Sequence, residues 1–91
     1  MPRYISRGFV LNMIINELLD NIEYLHTTQM GDIRIKRNLQ TNEDSVIFCK
    51  KINTDKNCVI TRKGKNHYCE LNNILITVNA YSYTIITAHK I

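Results

Sequence analysis

The sequence predicts an α+β domain in which two to three amino-terminal helices pack on a four-stranded antiparallel sheet, a meander, at the carboxyl end. Three observations predict it. Apolar residues between Phe9 and Leu25 recur at three- and four-residue spacing, the period of a helix face. From Cys58 the period changes to two, the alternation of a strand. The strand-like runs are punctuated by Gly64-Lys65-Asn66 and Asn72-Asn73, residues that accept the backbone angles of tight turns. One domain is expected over 1–91, its helical part at about 9–53 and its sheet part at about 57–90.

The first helix is expected from Phe9 to Leu25, capped by Ser6. Val10, Leu11, Ile14, Ile15, Leu18, Leu19 and Ile22 form its apolar stripe, wide enough to make it the main cover of a sheet face. Leu25-His26-Thr27-Thr28 interrupts that pattern, and either threonine can cap a second helix running to about Leu39. Gly31 weakens its middle, and the alternation of Ile33 and Ile35 leaves a strand open as the alternative. If helical, it points Met30 and Ile33 to the core and groups Arg34, Arg37 and Asn38 on another face. Thr41-Asn42-Glu43-Asp44 starts a third helix with acids in its first turn, where the helix dipole favours them. Residues 53–57 read as loop. The strands are Cys58–Arg62, His67–Leu71, Ile74–Asn79 and Tyr83–His89.

Composition narrows the class. The chain has 91 residues, 44% hydrophobic and 22% charged, which fits a folded globular domain. Its net charge is +4, unevenly spread. Residues 9–32 carry only acids and a net −4, whereas residues 34–65 carry nine basic residues against three acidic ones. Such a split suits a polyanionic partner on one side. Three cysteines, Cys49, Cys58 and Cys69, make an odd count with no close pair, which argues for free thiols in a reducing compartment. The apolar amino-terminal stretch is broken by Asn12, Asn16, Glu17 and Asp20 and has no small-residue cleavage site, so neither a signal peptide nor a membrane span is expected. The expectation is a soluble cytoplasmic protein.

Three groups of residues carry chemistry. Arg62, Lys63 and Lys65 surround a hairpin tip that leads into His67 and Tyr68. Cations there suit phosphates and a phenol suits base stacking; a charged tip also resists strand aggregation. On the last strand Tyr83, Thr87 and His89 are expected on the open face, with Thr84, Ile86 and Ala88 toward the core. Finally, His26 stands at a helix start ahead of Arg34, whose guanidinium can clamp a phosphate. Two histidines in one pocket, His26 and His89, would let one take the proton of a ribose 2′-OH and the other protonate the leaving oxygen. No carboxylate cluster, Cys-x-x-Cys pair, phosphate loop or dinucleotide fingerprint is present, so no metal and no cofactor are expected.

Four segments resemble a small bacterial family classed as a domain of unknown function: 25–31 (Leu-His-Thr-Thr-Gln-Met-Gly), 34–39 (Arg-Ile-Lys-Arg-Asn-Leu), 62–68 (Arg-Lys-Gly-Lys-Asn-His-Tyr) and 76–90, which ends in Thr87-Ala88-His89-Lys90. The resemblance spans residues 25–90 and brings no activity with it. More loosely, helices followed by a four-stranded antiparallel sheet are similar to the barnase, EndoU, colicin and RelE ribonuclease toxins, a likeness of fold.

The functional expectation is a small metal-independent endoribonuclease of toxin type. His26, His89 and Arg34 are its catalytic candidates, and Arg37, Asn38, Arg62, Lys63, Lys65, His67, Tyr68, Tyr81, Tyr83 and Thr87 its nucleic-acid contacts. Expected partners are nucleic acid, RNA before DNA, and a protein antitoxin or nucleoprotein. The alternatives are a non-catalytic nucleic-acid-binding regulator of phage or mobile-element type and a protein-interaction toxin, or a homodimer through exposed strand edges.

Overall fold

A computed structural model describes residues 16–91. Their order is α1 (Glu17–Asp20), a single 3-10 turn (Ile22–Tyr24), α2 (Gln29–Leu39), α3 (Ser45–Thr54), then β1 (Val59–Lys63), β2 (Asn66–Leu71), β3 (Ile74–Asn79) and β4 (Ile85–Lys90). The fold is α+β, with three helices, two of them long, before a four-stranded antiparallel meander in the order β1-β2-β3-β4.

The helix expected from Phe9 to Leu25 does not run through the described residues. Asn16 is extended, and its side chain accepts a hydrogen bond from the Leu19 amide, so it caps a new four-residue helix that ends at Asp20. An asparagine competes well for its neighbours' backbone donors, which is why it starts helices better than it continues them. Ser6 and the residues up to 15 lie outside the described part. Among the described elements the main cover of the sheet is α2, which packs on β4, with α3 against β2.

Residues 29–39 are helical, which closes the strand alternative. Thr28 caps α2 by accepting from the Gly31 amide at 3.0 Å. Gly31 is a requirement rather than a weakness, because a Cβ there would collide with Thr27 Oγ1, which donates to Ile85 O of β4. The buried stripe of α2 is Gly31, Ile35 and Leu39. Met30 and Ile33, expected in the core, are 65% and 52% exposed. The 31-35-39 row faces the sheet, and Thr27 and Asn38 tie the two ends of α2 to Ile85 O and Ala88 O of β4. In α3, Asp44 is the cap and accepts from the Ile47 amide, so Glu43 and Asp44 precede the first turn instead of lying in it. The helix extends through Asn53 and Thr54, which were expected in the loop. Asp32 ties the two helices together: its carboxylate accepts from the Ser45 amide and its carbonyl from the Ser45 hydroxyl.

The sheet follows the residue pattern closely, except in its last strand. Asn72 and Asn73 adopt φ of 51° and 66°, the left-handed pair that a two-residue hairpin loop needs, and Gly64 sits at φ 62° in the first hairpin. The covered face carries Cys69 and Leu71 from β2, Ile76 and Val78 from β3, and Ile85 and Ala88 from β4, packed with Leu18, Ile35 and Cys49. The register of β3 with β4 slips between Thr77 and Val78, where Thr77 pairs with Thr87 but Val78 with Ile85. Ile86 is the extra residue of that bulge. Simple alternation put Thr84, Ile86 and Ala88 toward the core; the bulge buries Ile85 and leaves Ile86 48% exposed.

Candidate functional site

The face of the sheet away from α2 and α3 is built in rows, because cross-strand partners share a face. Val59, Glu70, Leu75 and His89 form one row, and Thr61, Tyr68, Thr77 and Thr87 the next. Lys63, Asn66 and Asn79 complete it at the hairpin end. Thr61, Lys63, Tyr68 and Leu75 line a shallow depression of about 540 Å³. The Tyr68 phenol is steadied by Asn66, whose Nδ2 donates to its oxygen at 3.3 Å. Neither Lys63 nor Lys65 has an acidic partner among the described residues, so both cations face solvent at this end. Lys63, Tyr68, Thr87 and His89 are thus brought to one face of the sheet, with Lys65 exposed in the turn beside Lys63.

The other residues expected with them are elsewhere. Tyr83 is not on the open face. It adopts φ 60° in the loop before β4, packs against the core and meets the Tyr24 ring at 6.3 Å between centroids. His67 pairs with Arg62 and Val78 on the covered face and is only 3% exposed, so it offers no surface contact. Burial, together with the nearby Arg62 guanidinium, holds its pKa below the usual histidine value, while Glu17 pulls the other way.

Arg62 leaves the sheet on that same covered side. Its Nε donates to Gly64 O at 2.7 Å and its Nη1 to Glu17 Oε1 at 2.7 Å. Its guanidinium lies 5.5 Å from the centre of the Tyr81 ring, and its Nη2 is 3.5 Å from the Tyr81 hydroxyl. The same Glu17 oxygen is 3.8 Å from His67 Nε2, too far for a hydrogen bond, and that buried nitrogen has no partner among the described residues. Glu17 is the residue that sequence reasoning missed. It stands 45 positions from Arg62, and nothing local distinguishes it from the other acids of its segment.

His26 is held by the opposite end of β4. Its main chain bridges Tyr83 and Ile85, accompanying a parallel bridge to Thr84. Its Nδ1 donates to Tyr24 O at 2.9 Å and its Nε2 faces Thr84 Oγ1 at 3.0 Å. A carbonyl can only accept, so in the neutral ring Nε2 takes the Thr84 proton. His89 lies five residues further along β4. At about 3.3 Å per residue the two histidines are separated by roughly 16 Å of strand, well beyond proton-transfer reach of one scissile bond. The structure therefore does not unite His26 and His89. Arg34 and Arg37 are exposed on α2, and Asn38 Nδ2 donates to Ala88 O, docking α2 on β4.

The three cysteines are buried together beneath the sheet. Burial pushes the Cys49 thiol up to about 12, and a hydrogen bond with Cys58 together with burial raises Cys69, so these thiols stay protonated. Among the described residues no group of three histidine, cysteine or acidic side chains is placed to hold a metal ion. No described helix is long and apolar enough to cross a membrane. Neither the curated proteins nor the solved structures include a match to this chain. Residues 19–89 match the family described as a protein of unknown function (DUF3781), and that match covers both long helices and nearly the whole sheet, so the chain belongs to this family.

Proposed function

We propose that this protein binds single-stranded nucleic acid, RNA in preference to DNA, across the face of its sheet on which no described helix packs, and acts as a binding module rather than a nuclease. The observation that carries the reading is the depression lined by Thr61, Lys63, Tyr68 and Leu75. It joins an aromatic ring and an aliphatic side chain, on which a base can stack, to a cation for the phosphate that follows. Stacking of a base on an aromatic ring contributes about 1–3 kcal/mol and tolerates any sequence. Lys65 extends the basic end, while Thr87 and His89 offer polar groups to a ribose hydroxyl on neighbouring strands. The separation of His26 from His89 argues against cleavage by that pair.

The test is fluorescence anisotropy of a short labelled oligouridylate, repeated with oligothymidylate, at increasing salt. Wild-type protein is expected to bind RNA more tightly than DNA, with affinity falling as salt rises. Tyr68→Ala is expected to weaken binding by about 1–3 kcal/mol, a factor of roughly five to a hundred and fifty. The RNA is expected to remain intact in chelator. Absence of binding at low salt, or equal affinity of wild type and Tyr68→Ala, defeats the reading; cleavage of the probe returns the protein to the nucleases.

A further inference from the structure

Arg62, His67 and Glu17 make a second polar centre, on the side of the sheet away from the depression. Two of its parts, Arg62 and His67, are held by their protein surroundings. Arg62 is oriented by Gly64 O and by the Tyr81 ring, so one edge of the guanidinium is aimed at Glu17. His67 is nine-tenths buried and more, and its Nε2 points toward the same carboxylate oxygen without reaching hydrogen-bond distance. A sealed imidazole nitrogen with no partner among the described residues is costly to leave so. Here the Glu17 oxygen satisfies Arg62 and leaves the imidazole: it is 2.7 Å from Arg62 Nη1 and 3.8 Å from His67 Nε2. Glu17 belongs to a four-residue helix and its side chain is mostly exposed, so it can turn out to water without disturbing the core.

We infer that Arg62 and His67 Nε2 form a binding site for a phosphate group, and that the Glu17 carboxylate occupies this site as an internal competitor. A phosphate carries several terminal oxygens on one centre. One can accept from Arg62 Nη1 while another accepts from the imidazole N–H, which Glu17 as it stands does not achieve. Planar guanidinium groups bind such oxyanions with favourable geometry. The exposed Tyr81 ring, stacked against Arg62, leaves a face beside the site for a base or other flat group attached to the phosphate. This site is separate from the sheet face, and either can exist without the other.

The test is a nuclear magnetic resonance titration of the ¹⁵N-labelled full chain, following the His67 ring nitrogens and Arg62 Nε. The probes are inorganic phosphate, adenosine monophosphate and adenosine. Phosphate is expected to move the His67 Nε2 resonance, and adenosine is not. Glu17→Gln is expected to tighten phosphate binding about fivefold, since an exposed ion pair of this kind contributes up to ~1 kcal/mol. Asp20→Asn, on the same short helix, removes an equal charge that pairs with neither Arg62 nor His67 and is expected to change affinity less than about twofold. Glu17→Gln combined with Arg62→Gln is expected to lose binding. Tighter binding of adenosine monophosphate than of phosphate identifies a nucleotide as the source of the group; equal binding identifies the free anion. The inference is overturned if no variant binds phosphate, if Asp20→Asn gains as much as Glu17→Gln, or if the His67 nitrogen does not respond. Loss of RNA binding in Tyr68→Ala bears on the sheet face alone.

Discussion

The two faces of the sheet are made by the same four strands and differ in almost every physical respect. On the covered face Cys69, Ile76 and Ala88 form a cross-strand row with no contact with water. One residue along, Tyr68, Thr77 and Thr87 form the corresponding row of the other face. Helices shield the first row, and no described helix packs on the second. Adjacent residues such as Leu75 and Ile76 therefore have different tasks, one lining a depression and one filling the core. Polar chemistry also divides between the faces. Lys63 stands at the edge of the depression, while its neighbour Arg62 turns to the other side and meets Glu17. A list of cations around a hairpin hides this division, because alternation sends consecutive basic residues to opposite sides.

The sharpest way to break the comparison is to truncate one residue on each face. Ile76→Ala should cost about 2–5 kcal/mol of stability in urea denaturation, through lost burial and the cavity left behind. Leu75→Ala should cost under about 1.5 kcal/mol, because its side chain is only partly covered. Equal losses would mean that the two faces are not distinct environments. Thr28→Ala tests the device that orients α2 over the covered face. Losing the hydrogen bond from the Gly31 amide should cost about 1 kcal/mol, read from the same denaturation curves.

A smaller effect separates the histidines of the two faces. The His67 pKa is depressed in the folded chain, so the unfolded chain binds more protons as pH falls below ~6.5. Stability should therefore be fully retained above that pH and decline as pH drops toward the folded value. His67→Gln should flatten this decline, whereas His89→Gln should leave it in place; thermal melts across the acid range will show whether it does. The smallest stability effect belongs to Lys63→Gln, expected to stay within about 0.5 kcal/mol of wild type. Its signature lies in binding, where the slope of affinity against salt should fall by about one.

Much of the architecture was readable along the chain. The period-two run after Cys58, Gly64 and the Asn72-Asn73 pair sufficed for four strands and their turns, because strand alternation and positive φ are properties of a few neighbouring residues. The pair Thr27-Thr28 likewise marked the start of α2, and Thr28 is the one that caps it. The candidate site was read less well, since Lys63, Tyr68, Thr87 and His89 do share one face, but His67 and Tyr83 do not join them. His67 follows the same alternation as Cys69 and goes inward with it. Tyr83 precedes the strand that was expected to contain it, in a left-handed conformation that an aromatic residue seldom adopts alone.

What the residue order could not convey was anything set by partners far away in the chain. The facing of α2 depends on side chains that reach β4, Thr27 to Ile85 O and Asn38 to Ala88 O. The facing of Ile85 depends on a bulge whose register is chosen by β3. The Arg62–Glu17 pair and the distance between His26 and His89 follow from where whole elements dock. Turns, caps and alternation are legible locally because their energies are local; orientation and site assembly are not, because they arise from packing between segments that meet only when the chain has folded.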